Sequence, residues 1–172
     1  MGWGFIIQKI LGWEKVKEIL INSDTDTVTF TGLNAAVDTF YMLLATVKNP
    51  TASDSQYRIY VENDTDPSNY YHEYIASTGS SVSASTANNP NLLNVAAGDR
   101  SFTYTFITLD PDGYFRYFSN CNEQTGSNQT IVFRAGSRVT SVTNITRIDI
   151  ISTVSSAIGA GSKFVLLRCK SG

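Results

Sequence analysis

The chain is short of charge. Lysine and arginine number 13 and aspartate and glutamate 15, so charged residues fill 16% of the 172 positions, against roughly 25% in ordinary soluble domains. Serine, threonine, asparagine and tyrosine must supply the polar surface, a composition suited to life in an assembly or outside a cell. The formal net charge is −2 and the basic residues are scattered, so the electrostatic footprint of a nucleic-acid binder is missing. There is a single histidine, His72. A Ser-His-Asp device would have to use it. It falls inside a strand-like run, where the adjacent Glu73 points to the other face and is poorly placed to orient it, so it reads as a polar surface residue. The two cysteines, Cys121 and Cys169, lack metal-ligand spacing; they are either two free thiols or one disulfide.

Long apolar runs are also scarce. The N-terminal stretch "MGWGFIIQKILGWEKVKEILI" is interrupted by Lys9 and then by Glu14, Lys15, Lys17 and Glu18, which excludes a membrane span of about 20 apolar residues. No small-residue cleavage site follows it, as a signal peptide would require. Ile6, Ile10 and Trp13 fall at helical spacing, so residues 3 to 13 read as a short amphipathic helix, or else as an extended arm. Trp3, Phe5, Ile6, Ile10 and Trp13 are the candidate docking residues of such an arm; the alternative is that they cap the domain's own core.

From residue 14 onward the pattern is β. Segments 15 to 21, 26 to 32, 39 to 48, 56 to 62 and 70 to 76 are apolar or alternating, and they are separated by turn clusters such as "NSDTD" and "NDTDPSN". "SFTYTFITL", "DPDG" and "YFRYFSN" make the clearest hairpin, with Pro111 and Gly113 shaping its turn. Segments 129 to 135, 144 to 152 and 163 to 169 complete nine or ten strands. Residues 77 to 100, rich in Ser, Ala, Asn and Gly, read as a long connection with at most one short strand around Val82. The expectation is an all-β, antiparallel, jelly-roll-like β-sandwich over residues 14 to 172, preceded by a docking arm over 1 to 13.

No motif for chemistry survives inspection. In "AIGAGSKFVLL" the glycines precede a β-run, not a helix, and no hydroxyl follows Lys163, so a phosphate-binding loop is excluded and a turn into the last strand remains. The acidic turns at 24 to 26, 63 to 66 and 110 to 112 do not match the EF-hand pattern, and turn formation alone explains them. No carboxylate pair stands out for glycoside hydrolysis. The expectation is a non-enzymatic protein without cofactor or metal. Tyr57, Tyr60, Tyr70, Tyr71 and Tyr74 could stack on sugars or fill an interface; equally, they could divide between the core and cross-strand packing.

The run "NITRIDIISTVSSAIGAGSKFVLLR" (144 to 168), with "VTFTGLN" (28 to 34), "YMLLATVKN" (41 to 49) and "IYVENDTDPSNYYHEYI" (59 to 75), resembles jelly-roll or β-sandwich structural proteins of tailed bacteriophages. The final strand departs from that pattern in ending "LLRC". The resemblance implies a virion component of the head, tail or fibre, commonly a homotrimer, whose partners are its own copies and other virion proteins. It carries over no functional residue, since the matching positions build turns and strands. The alternative expectation is a receptor- or carbohydrate-binding module that contacts a host-surface glycan.

Overall fold

The computed structural model describes residues 12–79, 81–125 and 128–170. Among the described residues, twelve strands make the fold: β1 (Trp13–Leu20), β2 (Thr27–Thr31), β3 (Asp38–Lys48), β4 (Ser55–Val61), β5 (Tyr70–Thr78), β6 (Ser81–Ala87), β7 (Asn91–Val95), β8 (Arg100–Leu109), β9 (Phe115–Thr125), β10 (Asn128–Arg138), β11 (Arg147–Ser152) and β12 (Lys163–Lys170). Among the described residues the one helical element is a 3₁₀ turn over Pro67–Asn69. Asp66 starts it by accepting the Ser68 amide at 2.9 Å, and Pro67 lacks the amide that would go unpaired there.

The strands pair antiparallel in two sheets, ordered β1-β12-β3-β8-β9-β10-β5-β6 and β2-β11-β4-β7. The expected all-β sandwich of jelly-roll type is therefore observed. Its core lies between the sheets. Alternation sends Tyr41, Leu43, Ala45 and Val47 of β3 inward to meet Phe30 of β2, Ile59 of β4 and Ile148 and Ile150 of β11, all buried.

The turn before β12 explains its two glycines. Gly159 lies so close to the end of β3 that a Cβ would come within 2.8 Å of Pro50 Cδ, and its amide donates to Lys48 O at 2.8 Å. Gly161 takes φ +89°, a conformation that disfavours side chains. The buried Ser162 then accepts the Lys48 amide through Oγ at 2.9 Å. The segment is a clamp between β3 and β12.

Two expectations are corrected. Residues 77 to 100 hold two strands, not a long connection: β6 pairs with β5, and β7 pairs with β4. β6 is "SVSASTA", exposed along nearly its whole length. It has no apolar alternation to betray it, and only its ladder with β5 holds it extended. Trp13, expected to end an N-terminal helix or arm, is instead the first residue of β1, opposite Cys169. The remaining arm residues, Trp3, Phe5, Ile6 and Ile10, lie outside the described residues.

The small sheet ends at β7, and its free edge is sealed by side chains of the large sheet. Tyr117 Oη of β9 donates to Asn91 O at 3.0 Å. Ser119 Oγ and Cys121 Sγ donate to Leu92 O at 3.2 and 3.1 Å. The Asn94 amide donates to Glu123 Oε1 at 2.6 Å, and Ser101 Oγ donates to Asn94 O at 3.1 Å. Backbone groups that an edge strand leaves open are thus satisfied within the domain. Gly136 of β10 makes this possible, because a Cβ there would fall 2.4 Å from the Tyr117 ring.

Candidate functional site

An eight-stranded sheet is wider than a four-stranded one. Beyond β7, the inward face of β10, β5 and β6 is not covered by the small sheet, and a polar cleft of ≈ 360 Å³ opens there. Its floor carries Arg134 of β10, His72 and Tyr74 of β5 and Ser85 of β6, and its wall carries Asn89 and Asn91. A second hollow of ≈ 400 Å³, beside Asp54 and Ala96, shares Gln56, Asn94 and Glu123 with it. The two hollows lie next to each other beside β7 and together make its groove.

The centre of the floor is an ion pair. Arg134 is 2% exposed, and its Nη1 meets Glu123 Oε1 at 2.6 Å. Burial opposes the guanidinium charge, but the Glu123 carboxylate outweighs it and the Arg134 pKa is raised. The guanidinium also lies over the Tyr74 ring, 5.8 Å from its centroid. Burial pushes the Cys121 thiol up, so it stays protonated as a donor.

His72, expected at the surface, is buried at the back of the cleft. Its ring stacks near Tyr74, centroids 6.0 Å apart. Its Nδ1–H donates to Asn89 O at 2.7 Å, since a carbonyl only accepts. Burial lowers its pKa, with smaller contributions in the same direction from Arg134 and Arg58. Glu73 lies on the opposite, exposed face, as the strand periodicity requires.

Several groups here have no hydrogen-bond partner among the described residues: Arg134 Nε, Asn89 Oδ1 and Asn91 Oδ1. Asn91 Nδ2 donates to Asn94 Oδ1 at 3.0 Å, while its carbonyl oxygen is buried without a partner. Leaving a buried polar group unpaired costs about 1–3 kcal/mol. Three such groups belong to residues that line one cleft, and each atom is itself shielded from solvent.

No family model matches the sequence, and no curated protein does. Solved structures overlap it loosely. The carbohydrate-binding module CBM40 of a Ruminococcus gnavus IT-sialidase, bound to alpha2,6 sialyllactose, is 10% identical with a TM-score of 0.33, covering 88% of this chain and 92% of that one. The Caenorhabditis elegans galectin LEC-6 is 10% identical with a TM-score of 0.38, covering 86% and 94%. The PL-14 alginate lyase of Aplysia kurodai is 6% identical with a TM-score of 0.33, covering 88% and 80%. Overlap at this level transfers neither a residue nor a ligand.

Of the five candidate tyrosines, only Tyr74 lines the cleft. Tyr57, Tyr60 and Tyr70 are buried and out of a ligand's reach. Tyr57 Oη donates to Ala157 O at 2.7 Å. Tyr70 stacks edge-on against Tyr60 and Phe115, and burial pushes its pKa up to about 12. Tyr71 lies on the outward face of β5 and donates to Glu73 Oε1 at 2.6 Å. The acidic turns employ their carboxylates as caps. Asp24 Oδ1 accepts the Ala160 amide, Asp26 the Ser156 amide, and Asp110 those of Asp112 and Tyr114. Asp64 pairs with Arg138 at 2.8 Å. Cys121 and Cys169 are not bonded to each other.

The residues that make the cleft, Arg134, Glu123, Asn89, Asn91 and Asn94, escaped the sequence reading. A signal was present. In "QTIVFRA" Arg134 has the parity of Val132, and in "YFSNCNE" Glu123 has the parity of Tyr117 and Cys121. Opposite charges on the core-facing parity of two strands announce a buried pair.

Proposed function

We propose that the protein is a non-enzymatic saccharide-binding module and that the groove along β7 holds the sugar. The observation that carries this is the Tyr74 ring set among the amides, hydroxyls and charged groups that line the cleft. A sugar hydroxyl is at once donor and acceptor, and a pyranose has an apolar C–H face that packs on an aromatic ring. Side-chain amides at Gln56, Asn89, Asn91 and Asn94, the guanidinium, the carboxylate and the hydroxyls of Ser83 and Ser85 match that mixture. Glu123 is held by Arg134 and the Asn94 amide. That suits it to fix donors in place.

Titration calorimetry against oligosaccharides chosen from a glycan array tests the reading. Tyr74→Ala is expected to weaken binding about tenfold, or about 1.4 kcal/mol, and Asn91→Ala by a comparable factor. An array without binders, or affinities untouched by both substitutions, overturns it.

A further inference from the structure

The outward face of the eight-stranded sheet has no counterpart in the cleft. In an antiparallel sheet packed on one side, the other side is ordinarily polar. Here the ladder aligns Leu167, Met42, Phe106, Phe118, Ala135 and Glu73 across six strands. The next row is Val165, Leu44, Tyr104, Asn120, Phe133 and Ile75. Glu73 is the one charged side chain among these twelve. Phe40, Phe102, Phe106, Phe118 and Phe133 are each 40–44% exposed, and Ile75 and Ile131 slightly more than half. The near-continuous apolar sequence of β3, "TFYMLLATVK", is that of a strand covered on both faces. The sandwich covers one.

We propose that this face is an interface with a second copy of the chain, sheet against sheet. Size argues for it. A fully buried aromatic contributes about 150–250 Å², so the exposed parts of these seven side chains present roughly 600 Å². A standard interface takes about 800 Å² from each partner, and rim residues supply the remainder. A patch of that size stands at the top of the range a typical monomer exposes, about 300–600 Å². Chemistry argues for it too. A nearly uncharged apolar face is complementary to itself, the condition for a two-fold contact, and a net charge of −2 offers little repulsion. Hollows of ≈ 480 and ≈ 340 Å³ flank Phe118, giving the face relief for side chains of the other copy to enter. The inference does not rest on the sugar reading, although the ≈ 480 Å³ hollow shares Tyr74, Ser85, Thr86 and Arg134 with the cleft.

Size-exclusion chromatography with light scattering on the full chain tests it, alongside Phe118→Lys/Phe133→Lys and a form lacking residues 1–11. The parent should run near twice the 18.9 kDa of one chain, and the double variant at the single-chain mass with an unchanged circular dichroism spectrum. The shortened form should stay dimeric. A parent at single-chain mass at 100-micromolar order overturns the proposal, as does a dimer that survives both lysines. A monomeric parent that associates only when residues 1–11 are removed gives the face to the chain's own N-terminal segment and overturns it equally.

Discussion

Removing the carboxylate of Glu123 should be the most damaging single change in the cleft. In Glu123→Ala the Arg134 guanidinium, 2% exposed, loses the partner it meets at 2.6 Å. The Cys121 sulfur at 3.5 Å and the Tyr74 ring remain, and neither carries a neutralising charge. The Asn94 amide loses its acceptor as well. Breaking a buried pair by deleting one member costs about 3–5 kcal/mol. For a domain of this size about 3 °C accompanies each kcal/mol, so the melting temperature should fall by roughly 12 °C. Urea denaturation followed by circular dichroism measures the same loss, with the slope unchanged if the effect is on the folded state. Replacing both members, as Glu123→Leu/Arg134→Met, should restore most of the stability, since an apolar pair of similar volume avoids desolvating two ions. That double variant should fold and fail to bind sugar. A loss below about 1 kcal/mol in Glu123→Ala, or a double variant as unstable as the single, would refute the account of the pair as a buried, mutually dependent unit.

Two other outcomes follow from the same neighbourhood. Gly136→Ala places a methyl where the Tyr117 ring stands 2.4 Å away; overpacking should cost about 1–3 kcal/mol, and Tyr117→Leu in the same chain should recover part of it in thermal melts. His72 titrates lower in the folded chain than its ordinary value of about 6.5, chiefly through burial. Below pH 6.5 the unfolded chain takes up a proton that the folded one refuses, so stability should fall from about pH 6.5 downward and be flat just above it. His72→Gln should remove that slope in denaturation curves between pH 7 and 5, and a slope that persists would show that another group produces it.

Much of the architecture was legible because it depends on local alternation. Val28 and Phe30 of β2 and the hairpin around Asp110–Gly113 sit in the structure as their spacing implies. β6 was hidden because its serines and alanines carry no apolar period, and its extension is imposed by β5. β7 was hidden because five residues, "NLLNV", fit a strand or a loop until β4 pairs with them. The tyrosines misled for a related reason. Tyr57 and Tyr70 look amphipathic in isolation, but each hydroxyl finds a backbone partner in the core. The cleft was the least visible part. It joins residues 134 and 123 to residues 72, 74, 89, 91 and 94, and only the order of strands in the two sheets brings them together.

The sealed edge of β7 bears on how a ligand is received. Tyr117, Ser119, Cys121 and Glu123 stitch this strand to the large sheet, so the wall of the groove cannot swing away from its floor without breaking four or more hydrogen bonds at once. The two layers are joined along that strand. On the proposed reading, a sugar arriving there would meet a cast that needs no closing, and little of its binding free energy would go into ordering the protein. Discrimination must then come from fit to a fixed shape, and the bound and free forms should superpose.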